Sequence, residues 1–149
     1  MLTISPEDRA FLHQSRVGRL ATASASGEPH VVPVCFVYDG KHMYSAIDGK
    51  PKRVADARLR RLRNLRENPR ASLVVDLYDE DWARLWYVLV IGRAEILEAG
   101  HDRERALDML RDKYPQYQAM LDFGLGPVIQ LTPERVVSWR GAPPAPRAP

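Results

Sequence analysis

Apolar and polar positions change period several times along the chain, and each change marks an element. Residues 17–25 alternate loosely and read as a strand, followed by a turn at Ser26-Gly27-Glu28-Pro29. Residues 30–38 (HVVPVCFVY) form an apolar run with no polar face, so both sides of a strand here need cover. Pro33 lacks an N–H and belongs at an edge or a bulge, which leaves backbone groups free to meet a ligand. Asp39-Gly40 is a hairpin turn, and residues 41–47 form a third strand. Residues 71–78, 85–97 and 128–139 supply three more, with an acidic turn at Asp79-Glu80-Asp81.

Helical spacing appears in four places. Ser5-Pro6-Glu7-Asp8 places a capping hydroxyl, a first-turn proline and two acids at the start of a helix running to Gln14. Leu59, Leu62 and Leu65 form an apolar stripe on a second helix that Asn68-Pro69 ends. Residues 101–113 and 115–121 complete the set. Six strands and a few helices predict a mainly β protein with peripheral helices, its antiparallel sheet closed into a small barrel. The expected organisation is one domain over residues 1–141, then a disordered Pro-rich tail over 142–149. Asp76 is unusual inside a strand and could pair with a base, but the sequence gives no account of it.

Charge adds a place for a ligand. Between Lys50 and Arg70 there are nine bases and two acids, a net charge of +7 in a chain whose total is +3. A basic block on a mildly acidic body, directly after a strand, is suited to gripping an anion such as a phosphate-bearing cofactor. Arg58, Arg60, Arg63 and Arg66 read as a solvated helix face. A nucleic acid is not the expected partner, because the basic segment interleaves leucine rather than aromatic residues.

Candidate side-chain chemistry is sparse. His13, His30, His42 and His101 lack metal-ligand spacing, and His30 and His42 read as surface or strand-end residues. The single cysteine, Cys35, reads as a small core residue, and one thiol fits a reducing cytoplasm. There is no Gly-x-Ser-x-Gly elbow, Walker loop or Gly-x-Gly-x-x-Gly. No apolar run is long enough for a membrane helix, and the N-terminal residues are not expected to act as a secretory signal. No catalytic side chain can be named, and no metal is expected. A bound cofactor would carry the reaction.

Four stretches, RVGRLATASASGEPHVVPVCFVYDG, MYSAIDGKPKR, RNLRENPRASLVVD and DEDWARLWYVLVIGRAEIL, together resemble the pyridoxamine-phosphate-oxidase-like split-barrel flavoproteins. Asp81-Trp82 and Leu85-Trp86 look more like the small branch that uses the deazaflavin coenzyme F-420. The resemblance implies a six-stranded antiparallel split β-barrel of the FMN-binding type. It implies coenzyme F-420, or alternatively FMN, as cofactor, and a cytoplasmic homodimer whose subunits share each site. Carried over residue by residue, the phosphate site falls on Ser45, Lys50, Lys52 and Arg53, with Arg61 as a further anion ligand. The ring would lie along Val32, Pro33, Val34 and Cys35, with Trp86 beside it or at the subunit interface. The implied reaction is hydride transfer to a small organic molecule, with Tyr44 or Tyr87 as nearby hydroxyls. The chain departs from the family in two ways. It lacks the extended C-terminal segment with which vitamin-B6-phosphate oxidases hold substrate, and Leu89 stands where relatives often carry a base.

Overall fold

A computed structural model describes residues 2–48, 55–123 and 125–142. The elements run α1 (Pro6–Gln14), β1 (Gly18–Ala23), β2 (Pro29–Val34), β3 (Val37–Tyr38), β4 (Met43–Asp48), α2 (Ala55–Glu67), β5 (Arg70–Leu77), β6 (Trp86–Leu97), α3 (His101–Lys113) and β7 (Leu125–Arg140). Two 3₁₀ segments, Trp82–Arg84 and Pro115–Phe123, lie between them. The second is the short helix expected near residue 115.

Seven strands form one antiparallel sheet in the order β2-β1-β5-β6-β7-β4-β3. This corrects the expected six strands closed into a barrel. The apolar run 30–38 is two strands, broken at Cys35-Phe36. β2 pairs with β1, while β3 pairs with β4 at the far end of the order. The two edges are therefore joined by only two residues of chain, so the sheet must curl until they nearly meet. It does so without a ladder between them, which leaves the barrel split. Pro33 lies on the edge strand β2, opposite Arg19, where a missing N–H costs least.

Local chemistry explains the turns and ends. Ser5 Oγ accepts from the Asp8 N–H at 3.2 Å and caps α1. Asp39 Oδ1 accepts from the Lys41 and His42 N–H groups at 2.8 and 2.7 Å, fixing the β3–β4 turn, and Gly40 takes the positive φ of 98°. Asn68 accepts from the Arg70 N–H at 3.2 Å where α2 gives way to β5.

Side chains of the inner sheet face, including Leu20, Leu73, Val75, Val88 and Val90, fill the barrel. Phe11 and Leu12 of α1 and Leu62 and Leu65 of α2 close it, as the leucine stripe requires. A second core lies outside β4 and β7, where Tyr44, Ala46 and Val128 pack against Ala106, Leu107 and Leu110 of α3. Asp76 finds its base in Arg19 across β1 and β5, both ends half-exposed.

Candidate functional site

The free edge of β2 is the natural starting point, because its outward backbone groups have no strand beside them. Burial alternates along it. Val31 and Pro33 face out, Val31 at 64% exposure, while Val32 is half-buried and Val34 buried. Val32 lies opposite Leu20, an inner-face residue, so Val32 and Val34 form an apolar wall turned toward the barrel. Cys35 follows at the break and packs, half-buried, against the α3-side core.

The other expected site residues divide into three groups. Lys50, Lys52 and Arg53 lie outside the described residues. Arg61 lies half-buried on α2, near the inner face of β2. Ser45 and Trp86 are turned elsewhere. Ser45 is 6% exposed and shares the inner face of β4 with Met43 and Ile47. Its surroundings leave a void of about 10 Å³, which holds one water at most. Trp86 stacks on Phe11 with centroids 4.4 Å apart, and the Arg140 guanidinium lies 3.9 Å from its ring centroid. Its Nε1–H donates to Asp8 Oδ1 at 3.0 Å, and Ser138 Oγ donates to the same oxygen at 2.9 Å. The indole thus ties α1 to the ends of β6 and β7.

Neither candidate hydroxyl faces this edge. Tyr44 is 1% exposed and turned toward α3. Its O–H donates to Asp39 Oδ2 at 3.3 Å and accepts from Arg105 at 3.2 Å. Burial and the Asp39 carboxylate push this phenol up to about 12. Burial alone would raise Asp39, but backbone N–H donors and Arg105 hold it below the usual carboxylate range. Tyr87 lies on the outer sheet face, stacked on Trp139 at 6.1 Å.

A cleft of about 630 Å³ separates the β1–β2 turn from α2, lined by Ser24, Ser26, Glu28, Arg60, Arg63 and Asn64. Its bases already hold acids: Arg60 bonds Glu28 at 2.7 Å, and Arg63 lies 3.6 Å from Glu67. It is therefore polar but close to charge-balanced. Beneath it Asn64, 4% exposed, donates to Thr22 Oγ1 at 3.1 Å and fixes α2 on β1.

His30, expected at the surface or a strand end, is the second residue of β2 and is half-buried. It lies opposite Thr22, whose side chain is buried, so it shares the inner face with Val32 and Val34. Burial lowers its pKa below the ordinary value, and Arg60 and Arg61 lower it further. The signal was present in the strand's two-residue alternation, His30-Val32-Val34, which puts all three on one face. Among the described residues, no group of three or more His, Cys, Asp or Glu side chains could hold a metal ion.

An open-edged, mainly β split sheet with helices over its rim is shared with several solved proteins. A conserved hypothetical protein of Mycobacterium tuberculosis superposes with a TM-score of 0.69 at 24% identity, covering 95% of this chain and 87% of that one. The heme storage protein of Vibrio cholerae gives 0.71 at 17% identity, covering 93% and 95%. An FAD-binding protein of Mesorhizobium loti gives 0.66 at 24% identity, covering 92% and 95%. The pyridoxamine 5'-phosphate oxidase family model matches residues 4–140, and the chain belongs to that family. It is also 30% identical over 141 residues to a 5a,11a-dehydrotetracycline/5a,11a-dehydrooxytetracycline reductase of Streptomyces rimosus, covering 93% of this chain and 84% of that protein.

Proposed function

We propose that the protein is an oxidoreductase that holds coenzyme F-420 along the free edge of β2 and reduces an electron-poor double bond in a flat organic molecule. The observation that carries this reading is its similarity, over 93% of its length, to a reductase of dehydrotetracyclines. That relative makes a fused-ring acceptor the substrate class of choice.

The bound deazaflavin would supply the hydride. The chain's own residues supply the holding geometry. Val32 and Val34 give the ring an apolar wall, and backbone groups of residues 32–35 can bond its polar edge. Lys50, Lys52, Arg53 and Arg61 would draw in the anionic tail by charge-assisted hydrogen bonds. Ser45 and Trp86 serve from behind, Ser45 inside the barrel and Trp86 as the packing that fixes α1. Hydride transfer needs donor and acceptor within about 3–3.5 Å, so a rigid wall matters more than an acid or base.

The active form in this reading is a homodimer. Pro33, Arg19, Val74, Leu89 and Val137 run as one row across the outer sheet face, and Tyr87 and Trp139 flank it. With Val31 and Trp139 exposed at 64% and 47%, this face, largely apolar and crossed by the Arg19–Asp76 ion pair, is suited to a second copy. A second reading, FMN in the same groove or cofactor binding without turnover, draws support from the fold shared with an FAD-binding and a heme storage protein.

Fluorescence titration of the wild-type protein with F-420 and with FMN tests the proposal, followed by assay of reduced F-420 with a dehydrotetracycline acceptor. The expected result is preference for F-420, turnover, and at least tenfold weaker binding on replacing Lys52 and Arg53 together by alanine. Binding of neither cofactor overturns it.

A further inference from the structure

We propose that a pocket between the first turn of α1 and the end of β7 binds a small zwitterion of the α-amino-acid class, its carboxylate on the Arg140 guanidinium and its ammonium on the Asp8 carboxylate. The pocket holds about 350 Å³ at the rim of the sheet, where Ser5, Glu7 and Asp8 face Ser138, Arg140 and Ala142. The inference does not rest on the cofactor groove proposed above.

Two groups of opposite charge line this pocket without meeting. Asp8 is 8% exposed. Its Oδ1 accepts from Trp86 Nε1–H and Ser138 Oγ, while Oδ2 accepts nothing from the described residues and is not sealed off. Arg140 lies on the Trp86 ring, 3.9 Å from its centroid, and Phe11 covers the opposite face at 4.4 Å. Among the described residues the guanidinium makes no ion pair and no hydrogen bond, and its nitrogens are open to solvent. Stacking fixes the plane of a guanidinium but leaves its in-plane N–H donors free. One indole therefore holds both groups, the carboxylate through its N–H and the guanidinium through its face.

The charge balance selects the ligand. Glu7, exposed on the same wall, adds a second acid to the pocket. With one base against two acids, a simple anion is repelled, and a simple cation leaves the guanidinium fork unused. A molecule carrying both charges satisfies both, with its carboxylate bidentate on Arg140. Groups already held in place lose little freedom on binding, so more of each hydrogen bond appears as affinity. Trp139 gives the ligand's side chain an apolar wall. The fastening of α1 to β6 and β7 engages only Asp8 Oδ1, so it accounts for neither Oδ2 nor the open edge of Arg140.

The Trp86 indole N–H, bonded to Asp8, reports on the pocket directly. Protein labelled with 15N-tryptophan is titrated with L-phenylalanine, and the Trp86 signal is identified by elimination with Trp82→Phe and Trp139→Phe. The expected result is a saturable movement of that signal. Phenethylamine, which lacks the carboxylate, and 3-phenylpropanoate, which lacks the ammonium, should each bind about tenfold more weakly. Asp8→Asn keeps an acceptor for Trp86 and Ser138 but loses the charge, and Arg140→Lys keeps the charge but loses the fork. Each should weaken L-phenylalanine by about fivefold or more with an unchanged circular dichroism spectrum. An unmoved Trp86 signal, or analogues that bind as tightly as the amino acid, overturns the proposal, and neither result depends on a variant of these two residues folding. Undiminished affinity in both folded variants overturns it as well.

Discussion

Tyr114 and Phe36 are held together through the backbone: the Phe36 N–H donates to the Tyr114 hydroxyl at 3.1 Å, and the Phe36 carbonyl oxygen lies 3.1 Å from the same hydroxyl. The Arg16 carbonyl, at 3.0 Å, is a further acceptor for its proton. Phe36 sits where the chain leaves one edge of the sheet for the other, so its backbone has no strand partner. A side chain 78 residues away replaces the missing ladder.

Tyr114→Phe should therefore destabilise the protein by roughly 1–3 kcal/mol, because it leaves a buried donor and acceptors unsatisfied while keeping the ring. Thermal unfolding should show a melting temperature lower by on the order of 5 °C. An unchanged value would mean that the break at Cys35-Phe36 does not depend on this hydroxyl.

Lys113 gives a pH dependence with a definite sign. Its ammonium donates to the Leu12 carbonyl at 3.1 Å and lies 3.9 Å from the Phe36 ring centroid. Burial, then the Arg16 charge, lowers its pKa to about 8 from 10.5. Between these values the unfolded chain binds more protons than the folded one, so this group's contribution to stability rises with pH and is lost as pH falls through about 8. Urea unfolding from pH 7 to 10 should show wild-type protein gaining stability relative to Lys113→Met. Parallel curves would refute the assignment.

Gly92 marks the bulge where β6 and β7 shift register. A Cβ there would come 1.9 Å from the Thr132 carbonyl oxygen, a backbone atom that cannot swing aside. Gly92→Ala should cost more than about 2 kcal/mol through forced displacement of β7. Denaturant unfolding checks this, and a neutral result would show that the strands yield easily.

The outer sheet face predicts assembly. Leu89 lies between Val74 and Val137 on the outer sheet face, with its side chain turned away from the barrel. Leu89→Lys should turn a wild-type dimer into a monomer with its helical and sheet content intact, measured by light scattering and circular dichroism. A wild-type protein that is monomeric at micromolar concentration would remove the homodimer from the proposed function.

Much of this architecture was legible in local sequence. The Ser5 cap, the Asp39-Gly40 turn and the Leu62–Leu65 stripe each depend on residues a few positions apart, where chain connectivity alone fixes the geometry. Pro33 announced an edge because a missing N–H is a property of one residue. The alternation of β2 already put His30 on the face of Val32, but what lies opposite that face was not written there. Tertiary structure alone decided that residues 30–38 split between the two edges, that Arg60 and Arg61 come near enough to lower the pKa of His30, and that Trp86 meets Phe11, Asp8 and Arg140. These are contacts between distant segments, chosen by sheet curl and by which buried polar groups can find partners, and a period in the sequence carries no record of either.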